Sequence, residues 1–218
     1  MLQPVEAPLG LAGSAPSRSP SPGWDWRALN NVVRAKGGFT VAQLSCSTTA
    51  ATVDQSEARL AACRDMAVQA LAMQFDGAEL EAPGAPQPAA LLDMVQVLID
   101  VWGADRVGVQ IAPFAWMSAP DDQRAVRPFS ALLADLSDME IAYVHLAGAI
   151  VPGRGDLLAS PLGRHLRAAY PGILVASGGF TPTTAIAAVE GRWADMIGFP
   201  LPVGDGDDLL AAVRQYAR

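Results

Sequence analysis

Apolar and polar positions follow two different periods along the chain. Short apolar runs typical of β-strands occupy residues 39–44, 75–80, 107–112, 141–146, 173–177 and 196–199. Between these runs, apolar residues recur every three to four positions, which predicts amphipathic helices. The helices are expected at residues 24–36, 54–74, 89–102, 128–138, 156–169, 182–191 and 207–218.

This alternation predicts repeated βα units and a parallel sheet. An open doubly wound sheet and a TIM-type (β/α) barrel both fit the pattern. A glycine-rich turn, Ser177-Gly178-Gly179, follows the next-to-last predicted strand, whereas the first βα turn, residues 44–47, contains no glycine. Phosphate sites of barrels follow the last strands, and those of dinucleotide folds follow the first strand. We therefore expect an α/β barrel that is incomplete, with about six βα units.

The chain divides into two regions by composition. Residues 1–23 are rich in Pro and Ser and show no hydrophobic period, so we expect a disordered tail. Residues 24–218 form the partial barrel domain. Its first and last strands, 39–44 and 196–199, would be exposed edges, which folded proteins rarely leave uncovered. We expect the tail, a homodimer contact or another chain to cover them.

Composition limits the classes of function. The chain has 218 residues, of which 51% are hydrophobic, and a net charge of −7. The negative charge disfavours a nucleic-acid surface, and no window approaches the ~20 apolar residues of a membrane span. The two cysteines, Cys46 and Cys63, are too few for a metal site or a disulfide framework. These features predict a cytoplasmic protein that binds a small-molecule ligand.

The turn Ser177-Gly178-Gly179 is the strongest local signal for a ligand. Two adjacent glycines expose main-chain N–H groups, and the helix that follows adds unpaired donors and the positive end of its dipole. This arrangement favours a phosphate. The alternative is that the glycines only make a tight βα loop.

Five motifs in order resemble the Old Yellow Enzyme family of flavin oxidoreductases. V-R-A-K-G-G followed by A-Q-L resembles the family's H-A-x-G-G and L-Q-L-W-H, and F-D-G-A-E-L resembles F-D-G-V-E-I-H. W-G-A-D-R-V-G-V, A-Y-V-H and S-G-G-F with A-D-M-I-G-F are similar to three further family motifs. Each motif alone is weak, but their common order over about residues 24–215 indicates a shortened and divergent member.

The resemblance implies a fold and a cofactor. Family members are FMN-binding (β/α)8 barrels that use NAD(P)H. Gln43 matches the glutamine at the flavin pyrimidine edge, and Gln110 stands where the family has an arginine near that edge. Ser177, Gly178 and Gly179 match one half of the family's phosphate loop.

Several departures from the family predict weakened chemistry. Glu81 and Gly84 occupy the places of the two family residues that hold the substrate oxygen. A carboxylate only accepts hydrogen bonds and glycine has no side chain, so neither can donate to that oxygen. Pro200-Leu201 replaces the Gly-Arg half of the phosphate site. We therefore expect an oxidoreductase of FMN-binding lineage with weakened or lost ene-reductase activity. The alternative is a flavin-free pseudoenzyme, an accessory or binding subunit, or a non-redox enzyme that uses the same pocket.

Glu79 and Glu81 are the candidate catalytic residues. They alternate along one strand, so both side chains are expected on the same face, where two carboxylates can form an acid/base pair. The alternative is that Glu79 bonds a polar group of a neighbouring strand and Glu81 is solvated. Cys46 is a candidate nucleophile at the ligand-side rim. His145 and His165 have no evident Ser or Cys partner in the sequence, so a structural or surface role is expected for both.

Overall fold

Seven parallel strands form the main sheet. The structure is a computed structural model that describes residues 5–10, 25–46, 53–82, 88–116, 123–151 and 155–199. The sheet contains β1 (Val5–Gly10), β2 (Thr40–Ser45), β3 (Gly77–Ala82), β4 (Val107–Ile111), β5 (Tyr143–Leu146), β8 (Leu174–Ser177) and β9 (Met196–Gly198). A short antiparallel hairpin, β6 (Ile150–Val151) and β7 (Gly155–Asp156), lies between β5 and β8 in the chain.

The strand order identifies the type of winding. Within the sheet the order is β1-β2-β3-β4-β5-β8-β9, and every neighbouring pair is parallel. Each strand therefore pairs with the next strand of the sheet along the chain. A doubly wound sheet reverses its order at a switch point, and this sheet does not. The predicted partial TIM-type barrel is confirmed as a curled half-barrel.

Six helices connect the strands in the described part of the chain. They are α1 (Trp26–Ala35), α2 (Val53–Ala72), α3 (Pro88–Trp102), α4 (Gln123–Asp138), α5 (Pro161–Ala169) and α6 (Pro182–Glu190). The helix α2 packs on α3, and α4 packs on α5, as expected for crossover helices on one face of a parallel sheet. No helix among the described residues is long and apolar enough to cross a membrane.

The core lies between the strands and these helices. Leu44, Leu80, Val109, Leu146 and Ala176 project from five strands toward the helices and are fully buried. Because side chains alternate along a strand, the residues next to them project to the opposite, concave face. Full burial of a leucine side chain contributes about 1.5–3 kcal/mol, so these residues stabilise the contact between the sheet and the helices.

Two aspartates fix the amino ends of the strands in the same way. Asp76, just before β3, accepts hydrogen bonds from the Thr40 N–H at 2.8 Å and from Arg34 Nε of α1 at 2.7 Å. Asp195, just before β9, accepts them from the Leu174 N–H at 2.8 Å and from Arg167 Nη1 of α5 at 2.8 Å. Each carboxylate thus ties a helix to two neighbouring strands. These contacts stabilise the end of the barrel opposite to the candidate site.

The first strand differs from the prediction of a disordered tail over residues 1–23. Val5–Gly10 forms β1, which pairs in parallel with β2 from Val5↔Thr40 to Gly10↔Ser45. Proline at position 8 removes a backbone donor, which an edge strand tolerates, and it obscured the strand pattern in the sequence. The predicted open edge at β2 is therefore covered by a segment of the tail. Residues 11–23 and the predicted helix 207–218 lie outside the described residues.

Two predicted helices have different starts. The helix expected at 156–169 begins at Pro161, because the Ser160 side chain caps it by accepting from the Gly163 N–H at 3.2 Å. Asp156, the first residue of the predicted helix, belongs to β7 instead. The helix expected at 128–138 begins at Gln123 and holds Pro128 in its interior, so proline marked a position inside the helix rather than its start.

Candidate functional site

Five polar side chains form a row across the concave face. Gln43, Glu79, Gln110, His145 and Ser177 project from β2, β3, β4, β5 and β8, respectively. The strand register aligns Gln43 with Glu79, and Gln110 with His145. Four of them, all except Glu79, lie in the carboxyl halves of parallel strands, where barrels place their functional sites. We call these five residues the polar row.

Hydrogen bonds connect the first half of the polar row. The Gln43 Nε2 amide donates to Glu79 Oε1 at 3.1 Å and to Gln110 Oε1 at 3.1 Å. Both acceptors are oxygens, so the amide of Gln43 is oriented with its nitrogen toward them. This leaves the amide carbonyl oxygen of Gln43 as its remaining polar atom. Gln43 and Gln110, both predicted cofactor residues, therefore lie in direct contact.

Hydrogen bonds to His145 connect the second half. His145 Nδ1 lies 3.1 Å from Glu79 Oε2, and His145 Nε2 lies 2.7 Å from Ser177 Oγ. The side chains of His145 and Glu79 are only 3% and 1% exposed, whereas Ser177 is partly exposed. The row therefore has a buried centre and an accessible end at the glycine turn.

Gly108 on β4 leaves space for the ring of Tyr143 on β5. Gly108 aligns with Glu79 on one side and with Tyr143 on the other. A Cβ atom at Gly108 would lie 2.3 Å from Tyr143 Cζ, so the tyrosine ring occupies the place of a side chain there. A larger residue at position 108 would displace this ring.

The glycine turn follows Ser177 directly. Gly178 and Gly179 have φ angles of 99° and 74°, which non-glycine residues rarely adopt. A Cβ atom at Gly178 would lie 3.0 Å from the Gly148 Cα, because the segment after β5 packs against the turn. The Ala149 N–H donates to the Ser177 carbonyl at 2.9 Å and holds that segment in place.

The start of α6 satisfies some of its own donors. Thr181 Oγ1 accepts from the Thr184 N–H, and Thr184 Oγ1 accepts from the Thr181 N–H at 2.9 Å, which makes a capping box. Pro182 has no N–H to offer. The predicted contribution of this helix N-terminus to phosphate binding is therefore reduced, and the main-chain amides of Gly178 and Gly179 remain as the principal candidate donors.

The two predicted catalytic carboxylates have different surroundings. Glu79 bonds Gln43 and His145 on neighbouring strands. Glu81 is partly buried, aligned with Ser45 and Gln110 in the strand register. The structure thus brings Glu79 together with His145 rather than with Glu81. This arrangement corresponds to the alternative in which Glu79 bonds a polar group of a neighbouring strand.

The other candidates from the sequence fall outside the polar row. Cys46 is buried in the core, where a hydrogen bond with Cys63 and desolvation raise the pKa of its thiol well above the usual range. A thiol that stays protonated is a poor nucleophile. His165 is exposed on α5, with Nδ1 2.6 Å from the Pro161 carbonyl. Gly84 and Pro200-Leu201 lie outside the described residues.

The contact between His145 and Ser177 was not predicted. The two residues are 32 positions apart, and the expected role of His145 was structural. The signal that was available is their common place at the carboxyl ends of successive strands of a barrel. Adjacent strands in such a barrel bring those side chains within hydrogen-bonding reach.

Comparisons with known proteins agree with the motifs. No family model matches the chain. It is 28% identical to 12-oxophytodienoate reductase 11 of Oryza sativa subsp. japonica over 50% of this chain and 30% of that protein. It is 24% identical to chanoclavine-I aldehyde reductase fgaOx3 of Penicillium roqueforti over 84% of this chain and 66% of that protein. The chain therefore matches under a third of the length of the rice relative, and just under two thirds of the fungal one.

Solved structures share the fold. The old yellow enzyme homologue NCR of Zymomonas mobilis superimposes with a TM-score of 0.67 at 21% identity, over 88% of this chain and 71% of that protein. Morphinone reductase in complex with tetrahydroNAD gives a TM-score of 0.66 at 19% identity, over 88% and 70%. Together with the sequence relatives, these matches confirm the family resemblance predicted from the five motifs.

Proposed function

We propose that this chain, a divergent relative of the Old Yellow Enzyme flavin oxidoreductases, binds FMN on its concave face. The observation that carries the proposal is the polar row, which brings Gln43, Gln110 and Ser177 together on one face and ends at the glycine turn. FMN has a polar pyrimidine edge and a phosphate at opposite ends. The row has a polar amide pair at one end and exposed backbone at the other.

The amide pair fits the pyrimidine edge of the flavin. Gln43 uses its nitrogen within the row, so its carbonyl oxygen accepts from a ring N–H of the flavin. Gln110 gives no fixed positive charge, so reduced, anionic flavin is less stabilised than it would be by an arginine. When bound, FMN supplies hydride-transfer chemistry, with NAD(P)H as the reductant by family resemblance.

The glycine turn holds the phosphate with one half of the family's site. Ser177, Gly178 and Gly179 offer main-chain donors, and the φ angles of 99° and 74° keep this backbone free of side chains. Pro200-Leu201 supplies neither the N–H nor the guanidinium of the family's Gly-Arg. Loss of one charge-assisted bond of about 1.5–3 kcal/mol weakens binding by roughly one to two decades.

The ene-reductase reaction is absent from this proposal. Glu81 stands at the carboxyl end of β3, where the family has a residue that donates to the substrate oxygen. An ionised carboxylate only accepts hydrogen bonds, so it does not polarise an electron-poor alkene. The protein thus keeps a weakened flavin site without the donors for that substrate class.

Flavin binding is tested by spectroscopy and titration. The purified protein is expected to quench FMN fluorescence, and Gln43→Ala is expected to weaken binding about 5- to 10-fold because it removes one hydrogen bond of about 1 kcal/mol or more. The matched control is Gln69→Ala, an exposed glutamine of α2. A colourless protein that leaves FMN fluorescence unchanged contradicts the proposal.

A second candidate is a flavin-free protein that uses the same face. One observation favours it: Glu79 and His145 already bond each other and their neighbours, so the centre of the row is satisfied without a cofactor. In that case the pocket serves a non-redox enzyme or a binding subunit. A folded chain with no affinity for FMN in the titration above supports this candidate.

The edges of the sheet bear on assembly. The strand β1 covers β2, and among the described residues the sheet ends at β1 and β9. We propose that a second copy or another chain covers an outer edge, because exposed parallel edges invite pairing. Analytical ultracentrifugation that finds only monomer at micromolar concentration contradicts a stable homodimer.

A further inference from the structure

Three members of the polar row have the atomic order of a nucleophile, a base and an acid. Ser177 Oγ lies 2.7 Å from His145 Nε2. On the other side of the ring, His145 Nδ1 lies 3.1 Å from Glu79 Oε2. The two contacts use different ring nitrogens, so one imidazole connects a hydroxyl to a carboxylate, which is the connectivity of a serine hydrolase triad.

The neighbours of the ring determine its tautomer. A carboxylate only accepts hydrogen bonds, and Glu79 accepts one from Gln43 Nε2 and one from His145 Nδ1. The imidazole hydrogen therefore lies on Nδ1. The Gln110 Nε2 amide is also near Nδ1, at 3.4 Å, but two donors do not bond each other. The His145 Nε2 therefore carries a lone pair and accepts from the Ser177 hydroxyl. This is the protonation state in which a histidine acts as a general base.

Burial follows the same order as in a working triad. Glu79 and His145 are 1% and 3% exposed in their side chains, and Ser177 is partly exposed at the end of β8. Ser177 is thus the most exposed residue of the three. Gly198 on β9 lacks a side chain beside this pair; a Cβ atom there would lie 3.1 Å from the Ser177 Cβ.

The turn after Ser177 provides candidate oxyanion donors. In hydrolases with a nucleophile between a strand and a helix, the N–H of the residue after the serine binds the oxyanion. Here Gly178 and Gly179 follow the serine, both with positive φ, and α6 begins at Pro182. Gly179 is exposed, whereas Gly178 is partly buried against the backbone of Gly148.

We propose that Ser177 is the nucleophile of an acyl-transfer reaction on small carboxylic esters, with His145 as its base and Glu79 as the residue that positions the ring. As the Ser177 Oγ–carbonyl carbon bond forms, His145 Nε2 takes the hydroxyl proton. His145 returns that proton to the departing alcohol when the ester C–O bond breaks. Water then attacks the acyl carbon while His145 Nε2 takes one of its protons. His145 returns that proton to Ser177 Oγ as the acyl carbon–Oγ bond breaks, which releases the carboxylic acid and restores Ser177. The reaction requires water as its only co-reactant and goes beyond flavin binding.

An alkyl fluorophosphonate tests the nucleophile directly. The full chain, freed of any bound flavin, is incubated with the probe, and labelled peptides are identified by mass spectrometry. The expected label is on Ser177. Ser177→Ala is expected to abolish it, and Ser137→Ala on α4 is the matched control that leaves it unchanged.

Two variants test the base and the positioning residue. His145→Asn keeps an N–H that can reach Glu79 but removes the base, and should slow labelling by about 100-fold or more. Glu79→Gln reverses the preferred tautomer and should lower the plateau of the rate-against-pH profile by a similar factor, which loss of a merely structural contact would not do. Circular dichroism confirms that each variant is folded.

The outcomes separate the triad from a structural hydrogen-bond chain. Label on Ser177 that depends on His145 supports the proposal. A folded wild-type chain with no label on Ser177 overturns it, and so does a labelling rate that His145→Asn leaves unchanged. Because flavin is absent from the assay, neither result depends on whether the chain binds FMN.

Discussion

The bond between Glu79 and His145 makes a quantitative prediction about stability. His145→Ala leaves the buried carboxylate with Gln43 as its remaining donor in the row, and loss of a hydrogen bond to a charged group costs about 1.5–3 kcal/mol. Glu79→Ala leaves the imidazole N–H without its acceptor, which costs about 1–3 kcal/mol. The double variant removes both groups, so it should be more stable than the sum of the two losses predicts, by about 2 kcal/mol.

The measurement is a double-mutant cycle by urea unfolding, followed by circular dichroism. The surface pair Arg64–Asp100 is a matched control, because its Nη2–Oδ2 distance is also 3.1 Å but its side chains are 48% and 45% exposed. Solvent screens that pair, so its coupling should not exceed the error of the measurement. A Glu79–His145 coupling energy no larger than that of the surface pair would contradict the buried hydrogen bond at the centre of the polar row.

Three further predictions concern the scaffold. Gly163→Ala should destabilise the protein by about 1–3 kcal/mol in urea unfolding, because its Cβ would lie 2.0 Å from the Leu158 carbonyl oxygen; a fully stable variant would contradict the packing of α5. Desolvation raises the pKa of Asp76, but hydrogen bonds from Arg34 and Thr40 outweigh it and hold that pKa below its usual range. The stabilisation by the Asp76 carboxylate is therefore complete above about pH 4 and is lost as the pH falls through the lower pKa of the folded state. Asp76→Asn should flatten the pH dependence of the free energy of unfolding in that window. An unchanged profile would contradict this prediction. Cys46 should resist iodoacetamide at neutral pH in the folded protein, since a bond with Cys63 and burial raise the pKa of its thiol; rapid alkylation would show that the thiol is accessible.

The sequence was sufficient to predict the barrel because the βα pattern is local. Each of the six strands expected from apolar runs is present, and the late glycine turn distinguished the barrel from a doubly wound sheet. Gln43, Gln110 and the turn were predicted through motif positions alone, and the structure brings them onto one face. Local pattern therefore determined both the architecture and the end of the barrel that carries the polar side chains.

Features that depend on contacts between distant strands were missed. The contact of His145 with Ser177 requires the register of β5 on β8, and that of Glu79 with His145 requires the pairing of β3 and β5 on the two sides of β4. Neither register nor side-chain reach is encoded in a single apolar run. The strand β1 was missed for a different reason: its proline made a six-residue edge strand look like part of a disordered tail.

The most direct test of the flavin site compares FMN with riboflavin. The two ligands share the isoalloxazine ring and differ in the phosphate that the Ser177–Gly179 turn is proposed to hold. We expect FMN to bind with a dissociation constant about 10- to 100-fold lower than that of riboflavin, as one charge-assisted hydrogen bond of about 1.5–3 kcal/mol would give. Equal dissociation constants, or no binding of either ligand by the folded chain, would contradict the account.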